Sequence, residues 1–434
     1  MKKLYITTLG CTKNLVDSEV MIAKLQTEYQ LTDRAEDADL IVVNSCGFIQ
    51  PAKEESIQTI LELDSLRKKD SLLVVSGCLS ERYKNELPKE LPEVDIWTGV
   101  GDYHQIDRLV REKRNSFSPK TYLIKDEERT ITGSISHAYI KIGEGCNQRC
   151  SFCAIPKFKG SLQSRAIEDI LKEVQQLTER GYYDFSFISQ DSSSFGRDRG
   201  VRDGLVELIQ KVDKLENVVS ARILYLYPST TSTNLIQTIA TSSKFHNYFD
   251  IPLQHISNKM LKIMRRGIDR EKTIQLLKEM REVENSFIRT SFIVGHPGES
   301  EEDFNELLQF IEDFRFDRIT VFQYSNEENT SAYDMEQVDS DEVERRMEQI
   351  EKVVKRQFIE NLEKCIGKEF PIVLNGVSDE HEYLLSAKAL HWGEEIDGEI
   401  LINDKEIERL EFGKIYRVRI TQLAGDRLVG TIVG

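Results

Sequence analysis

Several common functional signatures are missing from this 434-residue sequence. No apolar run approaches the roughly 18 residues that a membrane-spanning helix needs, and the opening MKKLYITTLGCTKN turns polar too early for a signal peptide. There is no Walker loop or convincing dinucleotide-binding fingerprint, and the seven histidines show no metal-ligand spacing. We therefore expect a cytoplasmic monomer without a membrane partner.

Positive charge is also in deficit. The chain has 58 lysines and arginines against 74 aspartates and glutamates, which gives a formal net charge of -16. Nucleic acid repels such a protein at long range unless the protein carries a local basic patch. A basic partner, by contrast, should be attracted to it.

Cysteine is present in an odd number, seven residues. In a long chain without a secretory signal, this count favours metal ligation or redox chemistry over a disulfide framework. Cys365 stands apart from the other six, and we interpret it as a buried residue at a helix end.

The first part of the chain alternates strands with helices, as in an open parallel α/β domain. A helix is predicted over 17–29, with Asp17 or Ser18 as its cap. The predicted strands are KLYITTLG (3–10), DLIVVNS (39–45), SLLVVSG (71–77) and VDIWTGV (94–100). We assign this domain to residues 1–114, and a polar linker follows it.

Beyond the linker the alternation resumes six times, which predicts an incomplete (β/α)6 barrel over residues 132–364. The barrel region ends in a charged helix with one apolar stripe. Residues 365–434 change to short strands and turns, typical of a small antiparallel β-barrel. The predicted strands of the larger barrel are 138–143, 184–190, 220–227, 248–254, 287–295 and 318–325.

The stretch GEGCNQRCSFCAIP (143–156) places Cys146, Cys150 and Cys153 in one loop. The loop follows the first barrel strand, and such barrels keep their chemistry at the C-terminal ends of the strands. Four cysteines normally hold a 4Fe–4S cluster, so three would leave one iron open to a small molecule. A zinc site completed by a distant ligand and simple packing of buried cysteines are the alternatives.

A second set of three cysteines, Cys11, Cys46 and Cys78, each follows an apolar strand of the N-terminal domain. In an open parallel sheet these positions share the edge at which ligands bind. A single buried cysteine would not indicate a function, because buried cysteines are common. Three at equivalent positions, however, predict a second iron–sulfur cluster with an open iron.

The C-x3-C-x2-C spacing, with Phe152 before the last cysteine and six βα units around it, resembles the radical S-adenosylmethionine (SAM) superfamily. The resemblance implies that the open iron chelates the amino and carboxylate groups of SAM. A one-electron reductant then drives cleavage of SAM to a 5′-deoxyadenosyl radical. Two open clusters in one chain resemble the methylthiotransferases, in which an N-terminal auxiliary cluster delivers sulfur and a C-terminal TRAM barrel grips the substrate.

Other stretches resemble the methylthiotransferase branch that modifies ribosomal protein S12, free or in the small subunit. Thr12 stands where we would expect proline in that branch. Residues 366–434 carry eight basic and thirteen acidic residues, a net charge of -5, which suits a basic protein. Reversing Glu394, Glu395 and Glu399 to lysine would test this attraction. The stretches are LGCTKNLVDSE (9–19), SQDSSSFGRD (189–198), RILYLYP (222–228), DIPLQHISNKMLKIMRRG (250–267) and RTSFIVGHPGESEEDF (289–304).

The reaction that the resemblance implies is insertion of a methylthio group at the β-carbon of an aspartate of S12. It requires two 4Fe–4S clusters and SAM, one molecule of SAM supplying the methyl group and another the radical. The six clustered cysteines are the predicted catalytic residues and metal ligands. A transfer-RNA isopentenyladenosine methylthiotransferase is the alternative within the family, and a non-catalytic iron–sulfur carrier is the alternative outside it.

Three further residues are candidates for binding SAM. Phe152 would pack near the adenine, or else form a hydrophobic cover over the cluster. Gln190 ends the second barrel strand and should point at the site, although a role in capping the next loop is the alternative. Arg222 would reach the SAM carboxylate, or else form a surface ion pair.

Overall fold

The computed structural model describes residues 1–119, 121–125, 127–394 and 396–434. Three main sheets follow one another along the chain: a five-stranded parallel sheet, a six-stranded parallel sheet and a closed five-stranded barrel. The predicted fold class is therefore confirmed. Within the described ranges, no helix combines the length and the apolar character needed to cross a membrane.

The N-terminal sheet is covered by apolar clusters on both faces, which is why its central strands are apolar throughout. Its elements are β1 (Lys2–Thr8), α1 (Thr12–Leu25), β2 (Tyr29–Leu31), β3 (Leu40–Ser45), α2 (Gln50–Leu66), β4 (Leu72–Gly77), α3 (Cys78–Arg82), α4 (Leu87–Glu90), β5 (Ile96–Trp97) and α5 (Ile106–Glu112). The strand order is β2-β1-β3-β4-β5. Strands β1, β3 and β4 are thus neighbours, and their carboxyl ends meet at one edge.

The second sheet contains the six predicted strands in parallel, and it remains open between its first and last strands. Its elements are β6 (His137–Lys141), β7 (Gly143–Glu144), α6 (Ile155–Phe158), β8 (Gln163–Ser164), α7 (Ile167–Glu179), β9 (Asp184–Ile188), α8 (Gly204–Val212), β10 (Ser220–Ile223), α9 (Thr233–Thr241), β11 (Phe245–Asp250), α10 (Asn258–Ile263), α11 (Arg270–Glu282), β12 (Phe287–Val294), α12 (Glu301–Phe314), β13 (Arg318–Gln323) and α13 (Ser340–Glu363). The order is β13-β12-β11-β10-β9-β6, so each strand lies beside its predecessor in the βα series.

The C-terminal domain is a closed barrel with the order β14-β15-β16-β18-β17. Its strands are β14 (Glu369–Val377), β15 (Leu385–Ala389), β16 (Ile400–Lys405), β17 (Ile415–Ala424) and β18 (Arg427–Val433). Four of the five pairings are antiparallel, as predicted. The pairing of β16 with β18 is parallel, and it closes the barrel.

The small barrel packs against the starts of the strands in the larger one. Lys388 donates to Asp184 at 2.7 Å, and Asp184 is the first residue of β9. The hydroxyl of Tyr248, in β11, donates to Asp397 at 2.8 Å. Since the three-cysteine loop follows the end of β6, the C-terminal domain and the predicted chemistry lie at opposite ends of the larger barrel.

A buried carboxylate joins the N-terminal domain to the loop that follows β13. Glu327 accepts hydrogen bonds from Lys53 at 3.0 Å and from Arg82 at 2.8 Å. The Glu327 side chain is only 1% exposed. Arg82 also donates to the carbonyl oxygen of Gly47, directly after Cys46. This ion triad therefore fixes the loop of one cysteine to the barrel.

We expect Glu327→Gln to destabilise the protein by about 3 kcal/mol, because it leaves two buried cations without their counter-charge. The measurement is the urea midpoint of unfolding, together with the rate of cleavage by a protease. Glu328→Gln is the matched control, since the Glu328 side chain is exposed and only its backbone carbonyl contacts Arg82. Equal midpoints for the two variants would show that the triad does not join the domains.

Candidate active site between two cysteine trios

The N-terminal sheet brings Cys11, Cys46 and Cys78, here called the auxiliary trio, to one edge. Cys11 is the N-cap of α1, Cys46 directly follows β3, and Cys78 is the first residue of α3. A side chain at Gly10 would place its Cβ 2.6 Å from the Cys46 sulfur, and the φ of Gly10 is +88°. Only glycine fits there, and its absent side chain lets the loop of Cys11 close on Cys46.

Asn14 ties the three loops of the auxiliary trio together. Its amide nitrogen donates to the carbonyl oxygens of Leu9 at 3.0 Å and Ser45 at 3.2 Å. Its amide oxygen accepts from the Cys78 thiol at 3.6 Å. The side chain is 1% exposed, so these contacts replace its hydration. Sequence reasoning missed Asn14, because nothing in the local pattern distinguishes it from an ordinary helical residue.

Cys146, Cys150 and Cys153, here called the radical trio, lie in the loop between β7 and α6. The backbone N–H of Gln148 donates to the Cys146 sulfur at 3.4 Å, and the Arg266 guanidinium donates to the Cys150 sulfur at 3.1 Å. Donors of this kind favour a negatively charged sulfur. Two sulfurs of the loop, those of Cys146 and Cys150, therefore each accept one such donor.

Burial opposes the ionisation of four of these six thiols in the absence of a bound metal. It raises the pKa of Cys46 to about 11 and that of Cys146 and Cys153 to about 12, and it raises the pKa of Cys78 still further. Thiolates at these positions therefore need a strong positive charge, such as iron ions that replace the protons. All seven cysteines are free.

The auxiliary trio lies close to the loop of the radical trio, across the domain boundary. Cys78 packs in one apolar cluster with Ala154 and Phe158, and Ala154 directly follows Cys153. In the described part of the chain, no group of three or more His, Cys, Asp or Glu side chains is placed so that it could hold a single metal ion. The donors that are present, three soft sulfurs per trio with N–H groups directed at the radical trio, suit an iron–sulfur cluster.

A buried group of charges lies beside the trios, and the sequence analysis did not predict it. Lys141 donates to Asp17 and, at 2.6 Å, to Glu144. Lys159 lies 3.6 Å from an oxygen of each carboxylate. Although burial opposes ionisation, Lys141 and Lys159 lower the pKa of Glu144 to about 2. The available signal was two charged residues, Lys141 at the end of β6 and Glu144 in β7, in the mainly apolar stretch AYIKIGE that leads to the radical trio.

Two of the three predicted SAM-binding residues lie at this end of the barrel. The Phe152 ring packs with Met260, Met264 and Ile293 in a small apolar cluster directly beside the radical trio. Gln190 follows the end of β9 and donates to Glu144 at 2.8 Å, while its amide oxygen is buried without a hydrogen-bond partner. The positions of Phe152 and Gln190 are compatible with contacts to SAM, and these contacts stay a prediction.

Arg222 lies elsewhere, and its predicted role does not fit the structure. Its guanidinium is fully buried, donating to Asp184 at 2.7 Å and to the carbonyl oxygen of Leu390 at 2.8 Å. Asp184 begins β9, and Leu390 directly follows β15 of the C-terminal domain, so both lie at the end of the larger barrel opposite the cysteine loop. Arg222 therefore joins the barrel to the C-terminal domain.

Cys365 also differs from expectation. The sequence predicts a buried residue at a helix end, and Cys365 follows α13 but remains partly exposed.

Three families match successive parts of the chain. The family described as uncharacterized protein family UPF0004 matches residues 3–99, the radical SAM superfamily matches residues 140–311, and the TRAM domain matches residues 366–433. The matched ranges contain the auxiliary trio, the radical trio and the closed barrel, respectively.

Full-length relatives decide the family. The ribosomal protein uS12 methylthiotransferase RimO of a Nitratiruptor species is 59% identical over 432 residues, with 99% of each chain covered. The protein of the same name from a Sulfurovum species is 56% identical, covering 100% of this chain and 98% of the relative. The chain belongs to the ribosomal protein uS12 methylthiotransferase family. It is a radical-SAM enzyme that transfers a methylthio group.

Solved structures agree on the fold. The radical SAM methyltransferase TsrM from Kitasatospora setae, solved with cobalamin and a [4Fe-4S] cluster, has a TM-score of 0.55 and 14% identity. The similarity covers 77% of each chain. A second TsrM structure, with tryptophan and a SAM analogue, has a TM-score of 0.54. Both TsrM structures thus share the general architecture of this uS12 methylthiotransferase family member.

Proposed function

We propose that the enzyme adds a methylthio group to the β-carbon of an aspartate of ribosomal protein S12, free or in the small subunit, in the cytoplasm. The observation that carries the proposal is the closeness of the two trios, because Cys78 shares one apolar cluster with Ala154, the residue that follows Cys153. A sulfur donor and a radical source would then share one reaction space. The names of the relatives, at 54–59% identity over nearly the whole chain, support S12 as the substrate.

Two 4Fe–4S clusters fit the cysteines: one on Cys146, Cys150 and Cys153, the other on Cys11, Cys46 and Cys78. When bound, the clusters supply sulfur and, after one-electron reduction by a donor, the radical derived from SAM. The protein holds and shields them. Arg266 stacks on Tyr227 with 4.3 Å between the guanidinium carbon and the ring centroid, and it places its charge against the Cys150 sulfur.

Mass spectrometry of S12 and of transfer RNA from a deletion strain tests the proposal. We expect S12 from that strain to lack the mass of one methylthio group, which the cloned gene should restore. The transfer RNA should keep all of its modifications. If transfer RNA lost the methylthio mass and S12 did not, the enzyme would be a transfer-RNA methylthiotransferase.

The acidic surplus of the C-terminal barrel should assist binding of S12. The structure changes which residues test this idea. Glu394 is buried against Lys388, Glu399 pairs with Arg427, and Glu395 lies outside the described residues. Glu408 and Glu411 are better choices, since both are exposed and neither forms an ion pair with another described residue.

We expect the double variant Glu408→Lys, Glu411→Lys to associate with S12 severalfold more slowly at low salt. The reason is that exposed charges at the edge of an interface act mainly on the association rate. The difference should shrink at high salt, as screening shortens the Debye length. The measurement is the association rate at two salt concentrations, with Glu408→Gln and Glu411→Gln as the uncharged comparison. An unchanged rate at low salt would remove these carboxylates from recognition.

A further inference from the structure

Lys13 carries a buried charge that no carboxylate neutralises. It lies in the first turn of α1, two residues after Cys11, and it is 8% exposed. Its ammonium nitrogen lies 3.5 Å from the centroid of the Tyr225 ring. Among the described residues, no carboxylate oxygen lies within the 4.0 Å of an ion pair. Lysines buried this deeply are normally paired with a negative charge, and in the described part of the chain Lys13 interacts instead with the neutral Tyr225 side chain.

The neighbouring carboxylates are already occupied. Asp17 lies one helical turn after Lys13, where an ion pair would normally form. Both Asp17 and Glu144 instead accept hydrogen bonds from Lys141, and Lys159 lies 3.6 Å from each. Lys13 is therefore a third lysine near two carboxylates that already have lysine partners. One positive charge remains in excess, which favours binding of an anion.

The first turn of α1 offers further support for an anion. The N-cap, Cys11, makes no side-chain capping bond, and this turn contains no acidic residue. The hydroxyl oxygen of Thr12 is buried without a hydrogen-bond partner. The N-terminus of a helix attracts negative charge because its first N–H groups lack partners within the helix.

Lys13 lies near the auxiliary trio in the chain and contacts a residue at the mouth of the barrel. Its near neighbour in the chain, Cys11, belongs to the auxiliary trio, whereas Tyr225 follows β10 at the mouth of the barrel. Tyr225 has a φ of +62°, and its carbonyl oxygen accepts from Ser192 in the loop after β9. A non-glycine residue in this left-handed conformation is held there by its surroundings. The ammonium thus lies where the N-terminal domain meets the barrel mouth.

We propose that Lys13 binds the side-chain carboxylate of the aspartate that the enzyme modifies. This inference rests on the proposed function. The reacting β-carbon is bonded directly to that carboxylate, and it must approach both the radical and the sulfur donor. A cation beside the auxiliary trio and at the mouth of the barrel would hold the carboxylate and leave the β-carbon facing the reaction space.

The test is a double-mutant cycle on binding. Lys13→Met is combined with Asp→Asn in purified S12 at the position that mass spectrometry identifies as modified. We expect each change alone to weaken anaerobic binding about tenfold or more, and the combination to weaken it no further, because each removes the same charge-assisted contact. Lys13→Arg should recover part of the affinity. Lys24→Met, at the other end of α1, should leave it unchanged.

Iron content and SAM cleavage without S12 distinguish this role from others. Both should equal those of the parent protein in Lys13→Met. Loss of iron would assign Lys13 to the auxiliary cluster, and slower SAM cleavage would assign it to the SAM carboxylate, so either result would overturn the inference. Independent, additive losses in the cycle would do the same. If the parent enzyme left S12 unmodified, the proposed function itself would fail, and the Lys13 site with it.

Discussion

Alanine at Cys146, Cys150 and Cys153 is expected to abolish formation of 5′-deoxyadenosine and to remove about half of the iron. The reason is that these three sulfurs are the proposed cluster ligands at the mouth of the barrel, beside Arg266. Without them SAM has no iron to chelate. The measurements are iron analysis after anaerobic reconstitution and chromatography of the nucleoside products after reduction.

Cys365→Ala is the control for this triple variant. Cys365 belongs to neither trio, and its thiol donates to the carbonyl oxygen of Asn361 at 3.6 Å. Its removal should change neither the iron content nor SAM cleavage. A triple variant that kept all of its iron, or that still produced 5′-deoxyadenosine, would contradict the assignment of the radical trio.

The auxiliary trio could be predicted from the sequence because sheet topology is regular. Parallel strands place their carboxyl ends at one edge, so cysteines that follow three apolar strands must converge if the strands are neighbours. The observed register pairs Ser45 of β3 with Gly77 of β4, and the cysteines follow directly. The same regularity made the six barrel strands visible in the sequence.

Contacts between domains could not be predicted in this way. Lys141 and its partner Asp17 are separated by 124 positions, and no local periodicity links them. The predicted helix over 17–29 used Asp17 as a cap, whereas α1 begins at Thr12 and Asp17 instead binds the barrel. The polar side chain that suggested a helix start is thus part of the domain interface.

The prediction for Arg222 failed for a related reason. A residue early in a barrel strand lies at the end opposite the active site, so strand position alone argued against a contact with SAM. No pattern in the sequence indicated that the C-terminal domain covers that end. In the folded protein Arg222 and Lys388 both form ion pairs with Asp184. The charge of Arg222 therefore stabilises the interface between the barrel and the C-terminal domain.

Alanine at Cys11, Cys46 and Cys78 should leave formation of 5′-deoxyadenosine intact and reduce methylthiolated S12 below detection. The auxiliary trio lies on a separate sheet edge, so SAM cleavage should need none of its sulfurs, whereas sulfur insertion should need the proposed cluster that they would hold. Both products are measured in one anaerobic reaction by mass spectrometry.

The triple serine variant is the matched comparison, because a hydroxyl nearly preserves the volume of each thiol while iron prefers sulfur. It should behave like the alanine variant. Cys78 also packs in one apolar cluster with Ala154, beside the radical trio. If only the alanine variant slowed SAM cleavage, that packing contact would be the cause. If both variants lost SAM cleavage, the radical trio would depend on the auxiliary cluster itself. Normal methylthiolation by either variant would remove the auxiliary trio from the reaction.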